Sequence, residues 1–394
     1  MAQTALRDEP ESTLASVTAA VELTAAVGLL YVSDRDPGIR RVRKGDDFGY
    51  VDPDDRPLRD ADVLERIASL AIPPAYEKVW VCAKERGHLQ ATGYGDRGRK
   101  QYRYHPEWRA ARDGAKFERM IAFGEALPKL RRRLGRDLRL SGLSRDKVLA
   151  TVVSLLDATR IRVGNAEYAR DNESFGLTTL KTKHVRFVGD GRARFSFRGK
   201  GGIEHDVTVD DKRLSKIVRS CQHLPGQQLF QYVDDDGARH PITSDLVNEY
   251  LHQAMGEDFT AKDFRTWSAT LSAISLMAAT PLPEPVNGRI SEKAFKTAIV
   301  TAIKAVAAEL RNTPTVAKKS YINPIVFTAW RSGSLHKAVA ADLRNAPRKA
   351  EKFALAFLRA ESQVVEQAIA DDAKAKVAEK RPRAARKTAA RAAA

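Results

Sequence analysis

Tyr321 follows Asn312 by nine positions in Asn312-Thr-Pro-Thr-Val-Ala-Lys-Lys-Ser-Tyr-Ile-Asn-Pro, a phenol among lysines shortly after a helix break. Upstream stand Arg162 in Thr159-Arg-Ile-Arg-Val-Gly-Asn165, Lys200 in Gly199-Lys-Gly-Gly202, and Arg265 in Thr260-Ala-Lys-Asp-Phe-Arg. As a set these residues supply what metal-free attack on a phosphodiester needs. Tyr321 is a nucleophile, two guanidiniums grip the non-bridging oxygens, Lys200 is a proton donor for a departing 5′-oxygen, and Asn312 offers an amide donor. Each residue alone has a plainer reading. A free phenol with a pKa of about 10 is a poor nucleophile unless cations stabilise its anion, and an isolated Tyr is most simply a half-buried aromatic with a wet hydroxyl. Arg162 or Arg160 would complement a helix C-terminus, Arg265 would pair with Asp263 or another acid, Lys200 would be an exposed turn lysine, and Asn312 would end a helix in the left-handed conformation.

The elements that must position these residues are legible from periodicity. Apolar residues at helical spacing predict a helix at Ser144–Thr159 ahead of Arg162, and further helices at about 243–255, 261–279 and 292–311. Thr260 and Asp263 have the spacing of a capping box in front of Arg265. Arg192–Arg198 and Ile203–Val209 alternate with period two around Gly199-Lys200-Gly-Gly, predicting a hairpin with a lysine at its tip. Towards the N-terminus, short β-type runs between Gly28 and Tyr104 surround one helix near Asp60–Leu70. The expected fold is therefore α+β: residues 1–20 a mobile leader, 21–105 a β-rich domain, 106–345 a mainly α-helical domain with a β-hairpin or small sheet, 346–372 a terminal helix, and 373–394 a disordered basic tail.

Composition narrows the partners. The 394 residues are 43% hydrophobic and 30% charged, enough for two cores, and the net charge of +17 attracts polyanions, of which nucleic acid is the commonest. A signal-peptide pattern and a long apolar run are absent from the sequence, so a cytoplasmic protein is expected. Two distant cysteines, Cys82 and Cys221, support neither a disulfide framework nor a zinc site; the histidines form no ligand motif, and no metal or other cofactor is expected. The run Gly98-Arg-Lys-Gln-Tyr-Arg-Tyr-His interleaves basic, amide and aromatic side chains. Arg99, Lys100 and Arg103 would meet phosphates, while Gln101, Tyr102 and Tyr104 would reach base edges or sugars; a merely exposed basic strand is the alternative.

Taken together, Ile161-Arg-Val-Gly164, Gly199-Lys200, Lys262-Asp-Phe-Arg-Thr266 and the Asn312-to-Tyr321 segment resemble the motifs of type IB DNA topoisomerases, in the small poxvirus-like bacterial branch. The resemblance covers about residues 25–345. It implies a fold related to the tyrosine recombinases, and a monomer whose two domains close round duplex DNA like a clamp. It implies catalysis by Tyr321, Arg162, Lys200, Arg265 and Asn312, with Arg99, Gln101, Tyr102, Tyr104, Tyr168 and Lys262 contacting DNA. The implied reaction is reversible strand cleavage through a 3′-phosphotyrosine, relaxing supercoils without ATP or metal, in the cytoplasm at the nucleoid. Asn312 stands where many relatives have His, which leaves a neutral donor there. A tyrosine recombinase or integrase, and a non-catalytic architectural DNA-binding protein, are the competing readings.

Overall fold

The computed structural model describes residues 14–380 apart from 46, 96–97, 190, 286–288 and 340–346. The chain divides into two compact units, Met1–Glu118 and Arg119–Ala394.

The first unit holds α1 (Leu14–Ala26), β1 (Gly38–Lys44), β2 (Asp47–Val51), α2 (Ala61–Ser69), β3 (Glu77–Cys82), β4 (Leu89–Gly95), β5 (Arg99–Tyr104) and the start of α3 (Pro106–Asp137). The strands form one antiparallel sheet in the order β2-β1-β3-β4-β5. Strand alternation sends Ile39, Val79 and Val81 to one face, where Ala91 and Ile67 of α2 join them, and Trp80 and Cys82 to the other with Val32; a register irregularity between Leu89 and Ala91 lets Leu89 join this second cluster. Asp60 caps α2 by accepting from the backbone N–H groups of Asp62 and Val63.

Two expectations change here. Residues 14–20 of the expected leader belong to the helix Leu14–Ala26, whose fully buried Thr24 accepts at Oγ1 from Trp108 Nε1 at 3.1 Å. Residues 1–13 lie outside the described residues. The division between units falls inside α3 rather than before it, since Trp108, on the first turn of that helix, stacks on Tyr104 at 4.5 Å.

The second unit contains the rest of α3, then α4 (Arg145–Thr159), α5 (Ala166–Asn172), β6 (Val185–Val188), β7 (Arg192–Arg198), β8 (Glu204–Val209), α6 (Lys212–Gln222), β9 (Gln231–Val233) and β10 (Arg239–Pro241). After these come α7 (Ser244–Met255), α8 (Ala261–Ala278), α9 (Glu292–Leu310), α10 (Pro314–Ser320), α11 (Ile325–Ser332), α12 (Ser334–Ala338) and α13 (Pro347–Lys380). Buried on nearly every side through Val148, Leu149, Val152, Val153, Leu155 and Leu156, α4 is the central helix and packs against α6, α7 and α8. The expected hairpin is β7–β8, with β6 as a third antiparallel strand. Helix α13 runs to Lys380, past the expected end at 372. Its Ala, Lys and Glu residues are strong helix formers, so a basic composition does not by itself end the helix. Residues 381–394 lie outside the described residues.

Candidate active site

Arg162 sits just past α4. Arg160 ends that helix in the left-handed conformation (φ 59°) and pairs with Glu309 at 2.5 Å. The following residues run extended along a second segment: Leu177 N–H donates to Arg162 O at 2.9 Å and Thr178 N–H to Val163 O at 2.7 Å. The approach is close enough to require glycine on both sides. A Cβ on Gly176 would lie 2.6 Å from Arg162 O, and Gly164 has φ 108° with Thr178 Oγ1 only 2.9 Å from where its Cβ would be. The glycine of the Ile-Arg-Val-Gly motif thus fixes the backbone from which Arg162 reaches out.

Helix α8 supplies Arg265 and the seat for Tyr321. The Thr260/Asp263 capping box is present, with Asp263 accepting from Thr260 N–H at 2.8 Å. Asp263 also meets Arg119 at 3.5 Å. Its pairing with Arg265, the plainer reading of that arginine, is not what forms. Arg265, 3% exposed, instead donates to two carbonyls, Arg160 O and Leu310 O (2.8 Å for the latter). One turn on, the fully buried Thr270 donates from Oγ1 to Tyr321 O at 3.2 Å and accepts from Asn323 N–H at 3.1 Å. The tyrosine's backbone is therefore bound to the helix that carries the arginine.

The nine-residue spacing is a short helix with its two caps. Arg311, not Asn312, takes the left-handed conformation (φ 50°) that ends α9, and Asn312 N–H closes the turn on Ala307 O at 2.9 Å. Thr313 is the N-cap of α10 and Pro314 fills its first position, where a missing N–H costs nothing. The helix has seven residues in all, rising about 10 Å. Tyr321 is the C-cap, leaving its 9% exposed side chain beside Arg265, whose guanidinium carbon lies 5.2 Å from the ring centroid.

Three of the candidate residues form one donor array. Arg162 Nη2 donates to Asn312 Oδ1, which turns the amide nitrogen of Asn312 outward from that contact. Arg162 Nη1, Arg265 Nε and Asn312 Nδ2 are all buried without a hydrogen-bond partner. Among the described residues neither guanidinium is paired with a carboxylate. A buried donor left unsatisfied costs about 1–3 kcal/mol, and buried cations are ordinarily paired, so these three donors have the chemistry to receive an anion.

The phenol feels the same charges. Burial alone would raise the Tyr321 pKa, yet the charge and hydrogen bond of Arg265, followed by Arg162 and Lys262, outweigh it and hold the phenol below its ordinary value. Lys318 and Lys319, adjacent in sequence, are exposed on α10; the cations that act on the phenol come from α8 and from the segment after α4. Arg265 is itself lowered, by burial and then by the like charge of Arg162.

Lys200 is not gathered into this array. It lies exposed in the turn between β7 and β8, where Gly201 and Gly202 have φ of 77° and 78°, and its Nζ is 5.7 Å from the ring centroid of Tyr168, an exposed residue of α5. Lys262 is exposed on the first turn of α8. In the first unit the candidate contact strand is divided by its own alternation. Tyr102 and Tyr104 lie half-buried against Val32, Trp80, Cys82 and Leu89. Gln101 is exposed and paired in register with Gly93, whose missing Cβ would face Tyr76 and Val79 on the opposite side. Lys100 is held by Asp34 at 2.7 Å. The Arg99 side chain lies outside the described residues.

Sequence reasoning passed over Thr270, a mid-helix threonine with no local signal. It also passed over Arg311 and His205, of which only the adjacency of Arg311 to Asn312 gave a hint. No group of three or more His, Cys, Asp or Glu side chains among the described residues could hold a metal ion.

Residues 105–328 match the family model of the eukaryotic DNA topoisomerase I catalytic core, and residues 47–95 that of the bacterial DNA topoisomerase IB N-terminal domain. The chain is 34% identical over 290 residues to DNA topoisomerase 1B of Acanthamoeba polyphaga mimivirus, covering 72% of this chain and 85% of that protein. It is 24% identical over 291 residues to DNA topoisomerase 1B of Vaccinia virus (strain Copenhagen), covering 70% and 83%. With a matched core that includes Arg162, Lys200, Arg265, Asn312 and Tyr321, the chain belongs to the type IB DNA topoisomerase family.

Proposed function

We propose that Tyr321 attacks a backbone phosphate of duplex DNA and that the three unpaired donors of Arg162, Arg265 and Asn312 receive the non-bridging oxygens. The observation that carries this reading is that donor array beside a phenol whose pKa is lowered by the same guanidiniums. In the cleavage step the Tyr321 oxygen bonds to phosphorus as its proton passes to solvent, and the bond from phosphorus to the 5′-oxygen breaks. The donors meet the charge that grows on the non-bridging oxygens in the transition state, and Lys200 protonates the departing 5′-oxygen. The product is a 3′-phosphotyrosine and a free 5′-hydroxyl. Rotation of the nicked duplex releases superhelical strain, and the hydroxyl then reverses the step. Because the phosphodiester energy is kept in the tyrosyl ester, religation requires no ATP, and no step is assigned to a metal.

In this reading one copy of the chain acts on DNA at the nucleoid, in the cytoplasm, and closes round the duplex. Gln101, Tyr102 and Tyr104, with Arg99, meet the duplex from the N-terminal unit, and Tyr168 and Lys262 from the catalytic unit. The catalytic unit is read as kin to the tyrosine recombinases, whose chemistry uses a similar residue set.

Trapping denatured protein on labelled DNA and identifying the attached residue tests the reading. Tyr321→Phe is expected to bind duplex DNA as wild type does, to form no covalent adduct and to relax no supercoils. Relaxation by that variant would remove Tyr321 from the mechanism, and strand exchange that depends on paired sites would replace the topoisomerase with a recombinase.

A further inference from the structure

Leu310, Arg311 and Asn312 are consecutive, and each is engaged by a different part of the catalytic unit. Leu310 O accepts from Arg265, and Asn312 Oδ1 accepts from Arg162. Arg311 points to the β7–β8 hairpin: its Nη1 lies 3.1 Å from His205 Nδ1, and its Nη2 donates to Asp206 O at 2.7 Å. His205 is 4% exposed and stacks on Phe197, its partner across the hairpin, at 4.7 Å. The other edge of its ring lies against Gly199, where a Cβ would come within 2.6 Å of both Nε2 and Cδ2. Gly199 is the residue immediately before Lys200.

We propose that the Arg311–His205 contact is a latch that fixes the turn end of the Lys200 hairpin to the Asn312 end of α9, making both residues positioning residues for proton delivery. This inference rests on the reading of Lys200 as the proton donor. The latch needs His205 neutral, with its proton on Nε2 and Nδ1 accepting from Arg311. Burial, with the charges of Arg311, Arg162 and Arg265 around the ring, holds its pKa at about 4, so this form prevails near neutral pH. The exposed turn at Lys200 has no buried side chain of its own to set its place, since the next two residues are glycines. Its position is therefore inherited from the strand ends beside the turn, where His205 is clasped between Phe197, Gly199 and Arg311.

The test uses the full chain and a duplex with one previously mapped cleavage site, prepared with either the natural bond or a 5′-bridging sulfur at the scissile phosphate. A thiolate leaves without needing a proton, so sulfur bypasses the donor. Single-turnover cleavage is measured for wild type, Lys200→Ala, His205→Leu, His205→Asn and Arg311→Met. His205→Leu and Arg311→Met are expected to lose about 10- to 100-fold on the oxygen bond, part of the roughly 10²- to 10⁴-fold that a positioned proton donor contributes, and to recover on sulfur. His205→Asn, which keeps an acceptor near Nδ1, should stay close to wild type on both. Arg311 is only half-buried, so its variant separates the latch from any folding defect at His205. Equal slowing of Arg311→Met on both bonds, or no slowing on oxygen, overturns the latch while Lys200→Ala is rescued by sulfur. Failure of sulfur to rescue Lys200→Ala instead overturns the proton-donor reading, and the latch with it.

Discussion

Replacing Thr270 by valine removes one oxygen and almost no volume, and it isolates how Tyr321 is held. The hydroxyl bridges two backbone groups, donating to Tyr321 O at 3.2 Å and accepting from Asn323 N–H at 3.1 Å. Thr270 is 0%, Asn323 4% and Tyr321 9% exposed, so water does not readily replace the lost partner. Leaving two buried backbone groups unpaired costs about 1–3 kcal/mol each. We expect a net loss of about 2–4 kcal/mol, since Tyr321 ends a short helix and can shift to recover part of it. A domain with a stability of about 5–15 kcal/mol remains folded under that loss. Cleavage should suffer separately, because a reactive group displaced by about 1 Å costs on the order of 10²-fold in rate. Urea denaturation gives the first quantity and single-turnover formation of the covalent adduct at saturating enzyme the second, with Thr270→Ser, which keeps the hydroxyl, close to wild type in both. A Thr270→Val protein that loses the stability yet cleaves at the wild-type rate would refute the claim that α8 aims the nucleophile.

The remaining predictions concern the field and the backbone around the phenol. Because cations hold the Tyr321 pKa below the ordinary phenol value, the rising limb of cleavage rate against pH should fall below about pH 10. Lys262→Gln removes one of those cations, raises the pKa and should move that limb to higher pH; an unmoved limb in single-turnover kinetics would detach Lys262 from the phenol. Gly176→Ala places a Cβ against Arg162 O and should cost about 1–3 kcal/mol by chemical denaturation, with slower cleavage through displaced Arg162. Wild-type stability and rate in that variant would show that the Arg162 segment tolerates the shift.

Much of this protein was written in short-range patterns. The apolar periodicity of α4, α7, α8 and α9 depends only on residues a few positions apart, as do the capping box at Thr260/Asp263 and the alternation of the Lys200 hairpin. The candidate residues were legible for the same reason, since their types and local motifs carry the chemistry. What the sequence by itself left open depends on residues far apart in the chain. Thr24 of the helix Leu14–Ala26 meets Trp108, and the plainer pairing of Arg265 with its neighbour Asp263 gives way to carbonyls of Arg160 and Leu310. Lys318 and Lys319 are the cations nearest Tyr321 in sequence, whereas the field on its phenol comes from Arg265, Arg162 and Lys262. Sequence order fixes what a residue can do over a few bonds; burial and charge are properties of space, so only the folded chain decides which cations reach the phenol and which donors go unpaired.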